Sequence, residues 1–254
     1  MAVSYKPPST ANPLDLRGAF LKIQWAKQHI DNLGRARISF LGTDAYFGIP
    51  KFDPETNRTQ FILRSVPDIP SDISLLLGDA IHNLRTALDH LACELVRSTG
   101  ISDPKVYFPI CKTEDIYEAE SDGKTKGMPP EAKKLIDRLC PYGGKNHLLW
   151  GLHQLDIIDK HRLVLSTTIK TGGGSVTLDK QARDYSFAFS PALKAGDVIG
   201  DLEGNHESDK QMSVTPDIAF GEPEEFAGDG LFPTLTILAM HIGEIVEMFG
   251  DDPL

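Results

Sequence analysis

Apolar side chains recur at helical spacing in four stretches of this chain and alternate at strand spacing in the intervening ones. Asn12-Pro13 reads as an N-cap with proline at the first helical position. Leu16, Phe20, Ile23, Ile30, Leu33 and Phe40 then follow on one face, which predicts a helix over 13–41. Residues 45–66 hold two short apolar-aromatic runs around the turn-rich Asp53-Pro54-Glu55-Thr56-Asn57, the pattern of a β-hairpin. The strongest helix covers 71–99, opened by Ser71 or Asp72 and closed by Gly100, with Leu77, Ile81, Leu84, Leu88, Leu91 and Leu95 as a wide apolar stripe. Residues 101–145 read as a long proline-punctuated connection, with a mobile charged tract over Glu114–Lys126 and a short helix near Glu131–Leu139. The stretch 146–161 is apolar nearly all round, as a buried helix is.

From Arg162 to 221 the period changes to that of strands, with Gly172-Gly173-Gly174 expected as a hairpin turn between the first two. A last helix over 233–249 starts at Pro233 and carries Leu235, Leu238, Ile242, Ile245 and Phe249 on one face. These elements predict an α+β fold: a bundle of about four main helices packed with an antiparallel β-sheet, in one domain over 1–254. A cut near residue 162 would strand the last helix away from its expected partners.

The opposite face of the 71–99 helix carries Asp79, His82, Asn83, Arg85, Thr86, Asp89 and His90. A merely solvated face is normally filled with Lys, Glu and Gln, which form helices better than these short polar and imidazole side chains. One account is a polar stripe buried against a neighbouring helix or a second subunit, its members satisfying one another, as Arg85 and Asp89 can at i, i+4. The other is a site. His153, Asp156 and Lys160 form the polar stripe of the 146–161 helix, so the two stripes are expected to meet. Lys160, His161 and Arg162 close that helix. They either complement its dipole and bond its free carbonyls or form a local anion site.

Arg85 and His90 in NLRTALDHL resemble the Arg-x4–6-His signature of the HEPN superfamily. GDAIHNLRTALDHLA followed by LHQLDIIDKHR also looks like a pairing seen in uncharacterised bacterial proteins. The HEPN resemblance implies a helical, homodimeric protein of a toxin or defence type and a metal-independent endoribonuclease that uses no cofactor. His90 would handle protons and Arg85 would hold the scissile phosphate, with His82, Asn83, Asp89, His153, Lys160, His161 and Arg162 around the RNA. Attack by the 2′-OH would leave a 2′,3′-cyclic end. Thr86 departs from the Asn, Asp or His that often follows the arginine in that family. The β-rich residues 162–221 go beyond a minimal HEPN bundle.

Two other functions stay open. Asp79/His82, His153/Asp156 and His241/Glu244 each place a carboxylate and an imidazole three apart on a helix. Helix bundles use that spacing to hold metals, so a divalent metal ion and a metal-dependent enzyme are one alternative. A non-catalytic dimeric binding module is the other.

Charge and composition bound these readings. With Lys+Arg 26 against Asp+Glu 36 in 254 residues, the net charge of −10 excludes a broad cationic surface for DNA but leaves room for one phosphate-sized pocket. No run reaches the roughly 18 apolar residues of a spanning helix, so no membrane partner is expected. The first residues lack an apolar signal segment, and a cytoplasmic location is expected. Cys93, Cys111 and Cys140 are too few and too widely spaced for a disulfide framework or a zinc ribbon, and are expected as reduced, structural thiols.

Overall fold

The first helix opens one turn later than the apolar pattern predicts. The computed structural model describes residues 14–42, 47–102, 104–161, 167–178, 181–185, 193–207 and 212–251, and in it α1 spans Arg17–Leu41. Asp15 supplies the start: its Oδ1 accepts from the Arg17 amide at 3.2 Å and from Arg17 Nε at 2.8 Å. The Arg17 guanidinium holds the Asp15 carboxyl down to about 2. The expected Asn12-Pro13 cap lies outside the described residues.

The other elements follow in the order β1 (Phe47–Asp53), β2 (Arg58–Leu63), α2 (Ser71–Arg97), α3 (Glu114–Lys124), α4 (Pro130–Arg138), α5 (His147–His161), β3 (Thr167–Leu178), β4 (Gln181–Tyr185), β5 (Val198–Glu203), β6 (Met212–Phe220) and α6 (Leu231–Asp251). The fold class is α+β, helices with an antiparallel sheet. The α2 stripe from Leu77 to Leu95 is fully buried, and Gly100 follows it at φ 93, the left-handed conformation a helix-closing glycine supplies.

Two expectations fail in instructive ways. The tract over 114–124 is a helix, α3, rather than a mobile connection. Thr113 caps it by accepting from the Ile116 amide, Glu114 and Asp115 occupy the first turn, and Lys124 the last. Its apolar face is thin, with Tyr117 and Ser121 as its buried residues, so hydrophobic periodicity misses it. The run Gly172-Gly173-Gly174 is not a turn. It lies inside β3, where the register against β6 shifts between Thr171 and Gly173. Glycine inside a strand tolerates such a bulge.

The chain divides into two compact units. One gathers the described residues of Met1–Gln28, Asp79–Ile157 and Thr236–Leu254, and the other those of His29–Gly78 and Ile158–Leu235.

The first unit is helical. Within it Leu238, Ile242, Ile245, Val246 and Phe249 of α6 are buried. Against the expectation that no run reaches a spanning length, α6 is by length and composition the one described helix long and apolar enough to cross a membrane, with 44% of its apolar window buried.

The second unit holds the sheet, in the order β4-β3-β6-β1-β2-β5 with antiparallel neighbours throughout. Phe61, Leu63, Ile169, Leu193 and Ile199 form its core, covered by Phe40 and Leu41 at the end of α1 and by Val66 and Ile69. Arg37 Nε donates to Asp217 Oδ1 at 2.6 Å, tying α1 to β6. The β1–β2 hairpin turns where expected, with Asn57 at φ 52 and the Asp53 carboxylate taking the Glu55 amide and the Thr56 hydroxyl, each at 2.9 Å.

Candidate functional site

Within the helical unit α2 is flanked by α1 on one side and α5 on the other. Lys22 Nζ of α1 donates to Asn83 Oδ1 at 3.2 Å, and the Asn83 amide nitrogen donates to Asp79 O at 2.7 Å. A Cβ on Gly18 of α1 would fall 2.9 Å from His90 Nδ1, so the His90 ring rests on that glycine. On the other side the polar stripes of α2 and α5 meet, as the sequence pattern predicts. His82 Nδ1 lies 3.0 Å from Asp156 Oδ1, and Arg85 Nε donates to His153 Nδ1 at 3.4 Å.

Arg85 is committed to structure. Its residue exposure is 6%; Nη1 donates to Asp89 Oδ1 at 2.5 Å and Nη2 to the Phe108 carbonyl at 3.2 Å. The Phe108 amide in turn donates to the same Asp89 oxygen at 2.9 Å. The guanidinium, the carboxylate and one residue's backbone therefore clamp the chain after α2 against it. Phe108 is invisible to motif reasoning, because its part is played by backbone groups. Because His153 accepts on Nδ1, its ring proton sits on Nε2, and Trp150 covers it with ring centroids 5.8 Å apart.

Arg85 and His90 are not brought together. Five residues at 100° each set them about 140° apart around the helix, and their contacts follow that angle: Arg85 meets α5 and the 108 backbone, His90 meets α1. The expected pairing of a proton-handling His90 with a phosphate-holding Arg85 lacks a shared face.

The exposed chemistry belongs to His82. Its side chain is 51% exposed while that of Asp156 is 3% exposed. A buried carboxylate taking the Nδ1 proton fixes the ring and leaves Nε2 as the acceptor turned outward, the geometry of an oriented general base. Thr86 Oγ1 stands 3.5 Å from Nε2, at the limit of hydrogen bonding.

Lys160 and His161, both exposed, belong to the second unit, and Arg162 lies outside the described residues. His241 and Glu244 stand on α6, where burial pushes the His241 imidazole down against the opposing pull of Glu244. Among the described residues no three His, Cys, Asp or Glu side chains gather as a metal would need. Asp79, His82, His153, Asp156, His241 and Glu244 therefore contribute pairs and not a ligand set. The three cysteines are free thiols, and burial pushes the Cys93 and Cys111 thiols up, away from reactivity.

No family model, curated protein or solved structure matches this chain.

Proposed function

We propose that the protein is a metal-independent endoribonuclease in which His82 is the proton-handling residue and Asp156 orients it. One observation carries this reading: a half-exposed imidazole backed at 3.0 Å by a carboxylate inside the helical unit. The Nε2 atom takes the proton from an RNA 2′-OH, the 2′-oxygen bonds to phosphorus, and the bond to the 5′-oxygen breaks. That oxygen takes its proton from water, and a 2′,3′-cyclic phosphate remains. Arg85 stands near His82 on α2, its guanidinium taken by His153, Asp89 and the Phe108 carbonyl.

Cleavage of a broad RNA panel in EDTA by the wild type, His82→Ala and His90→Ala tests it. Activity is expected in the wild type, in His90→Ala, and not in His82→Ala. No cleavage by any protein, or equal cleavage by wild type and His82→Ala, overturns the reading.

A second reading, a non-catalytic dimeric binding module, is favoured by the saturation of Arg85 and by exposed apolar side chains in the helical unit. Leu21 and Trp25 on α1 are 63% and 56% exposed, and Ile237 and Met240 on α6 are 52% and 58% exposed. Sedimentation of the wild type against Leu21→Asp and Met240→Asp distinguishes it. Dissociation of a wild-type dimer by these changes supports it, and a wild-type monomer ends it.

A further inference from the structure

The chain that leaves α2 doubles back along that helix as a strap. Cys93 Sγ lies 3.9 Å from the Pro104 carbonyl oxygen and 3.8 Å from that of Val106. Further along, the Phe108 amide donates to Asp89 at 2.9 Å and its carbonyl accepts from Arg85 at 3.2 Å. Residues 104–108 therefore run antiparallel to α2, from the level of Cys93 toward that of Arg85. His82, Asp89 and Cys93 stand at i, i+7 and i+11, within about 40° of one another around the helix, so the strap and the His82 imidazole share one flank. Asp89 lies about 10 Å along the axis from His82, and the Arg85 bond brings the strap within one turn of it.

Exposure alternates along the strap. Phe108 is buried and Val106 half-buried, while Lys105 and Tyr107 are exposed. Two residues apart in an extended segment, these two side chains project to the same outer side. Tyr107, 72% exposed, is the most exposed large apolar side chain among the described residues. Its backbone is nonetheless held, because both of its neighbours are bonded to α2. A tyrosine ring on a fixed backbone loses little conformational freedom when a flat partner lies on it. An ammonium beside such a ring is how proteins follow a nucleic-acid single strand, with a base on the ring and a phosphate on the cation.

We propose that the strap binds the stretch of RNA next to the bond cleaved at His82, with an unpaired base stacked on Tyr107 and a neighbouring phosphate at Lys105. The inference rests on the RNA reading of the His82 site and gives that site its substrate class, single-stranded RNA. In a duplex the base faces are taken up by one another, so Tyr107 has none to meet. Arg85 holds the strap in place, and Lys105 supplies the cation for the strand. With a net charge of −10 the protein gains little from long-range attraction to RNA, so stacking carries more of the affinity than charge.

Fluorescence anisotropy of a labelled single-stranded oligoribonucleotide of mixed sequence tests it, in EDTA and with the full chain carrying His82→Ala so that no strand is cut. Saturable binding is expected, weakened about tenfold or more by Tyr107→Ala and kept within about threefold by Tyr107→Phe. Lys105→Gln is expected to weaken it and to make its salt dependence shallower. The duplex of the same sequence is expected to bind about tenfold or more weakly than the single strand. Lys105 and Tyr107 are exposed, so their variants fold. Absence of saturable binding, equal binding by Tyr107→Ala, a loss in Tyr107→Phe as large as in Tyr107→Ala, an unaltered salt dependence in Lys105→Gln or equal binding of the duplex overturns the proposal. Binding is measured apart from cleavage: a protein that binds in this way but cuts no RNA ends the nuclease reading and upholds the strap as an RNA site.

Discussion

His82 Nδ1 and Asp156 Oδ1, 3.0 Å apart, join an imidazole that solvent reaches to a carboxylate that it does not. In Asp156→Asn the side chain keeps its size but loses the charge that holds the Nδ1 proton and stabilises an imidazolium. RNA cleavage is expected to fall by about 100-fold or more, the scale of a lost acid–base contribution, with an unaltered circular dichroism spectrum. Cleavage at the wild-type rate by the asparagine variant would remove His82 from the chemistry.

Arg85→Met tests the clamp that stands on the same side of α2 as His82. It leaves Asp89 and the Phe108 carbonyl without the guanidinium that joins them, and is expected to destabilise the protein by about 3 kcal/mol, as breaking a buried charged pair does. His90→Ala, whose ring is half-buried against Gly18, is expected to stay within about 1 kcal/mol. Urea melts of the two variants compare them directly. Equal destabilisation would contradict the division of roles between these residues.

Two glycines make a sharper contrast than their distances suggest. A Cβ on Gly78 would fall 2.2 Å from Asp159 Oδ1, the far end of a side chain that can turn away. One on Gly143 would fall 2.5 Å from the Lys112 carbonyl, which is backbone. Gly143→Ala is therefore expected to lower stability by about 2 kcal/mol and to exceed the effect of Gly78→Ala in thermal melts. The reverse order would show that the Lys112 backbone yields more readily than the Asp159 carboxylate.

The half-buried His241 imidazole is expected to make the fold sensitive to mild acid. Its folded-state pKa is lowered by burial and by His147, against the smaller pull of Glu244. Between that value and the ordinary histidine value the unfolded chain binds the extra proton. Its contribution is thus complete above the ordinary value and is lost as pH falls below it. The melting temperature of His241→Phe is expected to drop less than that of the wild type between about pH 8 and about pH 5. An unchanged difference would assign the acid sensitivity to other groups.

The fold was legible wherever an apolar stripe was wide. Leu77, Ile81, Leu84, Leu88, Leu91 and Leu95 announce α2 because burial demands that spacing. In α3 the buried residues are Tyr117 and Ser121 alone, and the cap at Thr113 with Glu114 and Asp115 was the readable signal. The meeting of the α2 and α5 stripes was legible as well, since polar residues on an otherwise apolar helix need each other. The choice of partners was not. Arg85 and His90 stand close in the chain, but rotation about the helix axis separates them, while His82 and Asp156, 74 residues apart, are joined by packing. The clamp through Phe108 leaves no sequence trace at all.

The sheet order has a consequence for how the second unit yields under load. Among the described residues β1 and β6 share only the pairs Phe47–Ser213 and Gly48–Met212, whereas β3 follows β6 from Thr167 to Val176 and β2 follows β1 from Gly48 to Asp53. The six strands are thus two three-stranded ribbons, β4-β3-β6 and β1-β2-β5, basted together at one short stitch. Gly48 sits in that stitch with Ile199 and Phe61 pressed where a side chain would go. A pull or a proteolytic opening that parts the sheet should run along this line, leaving each ribbon paired within itself.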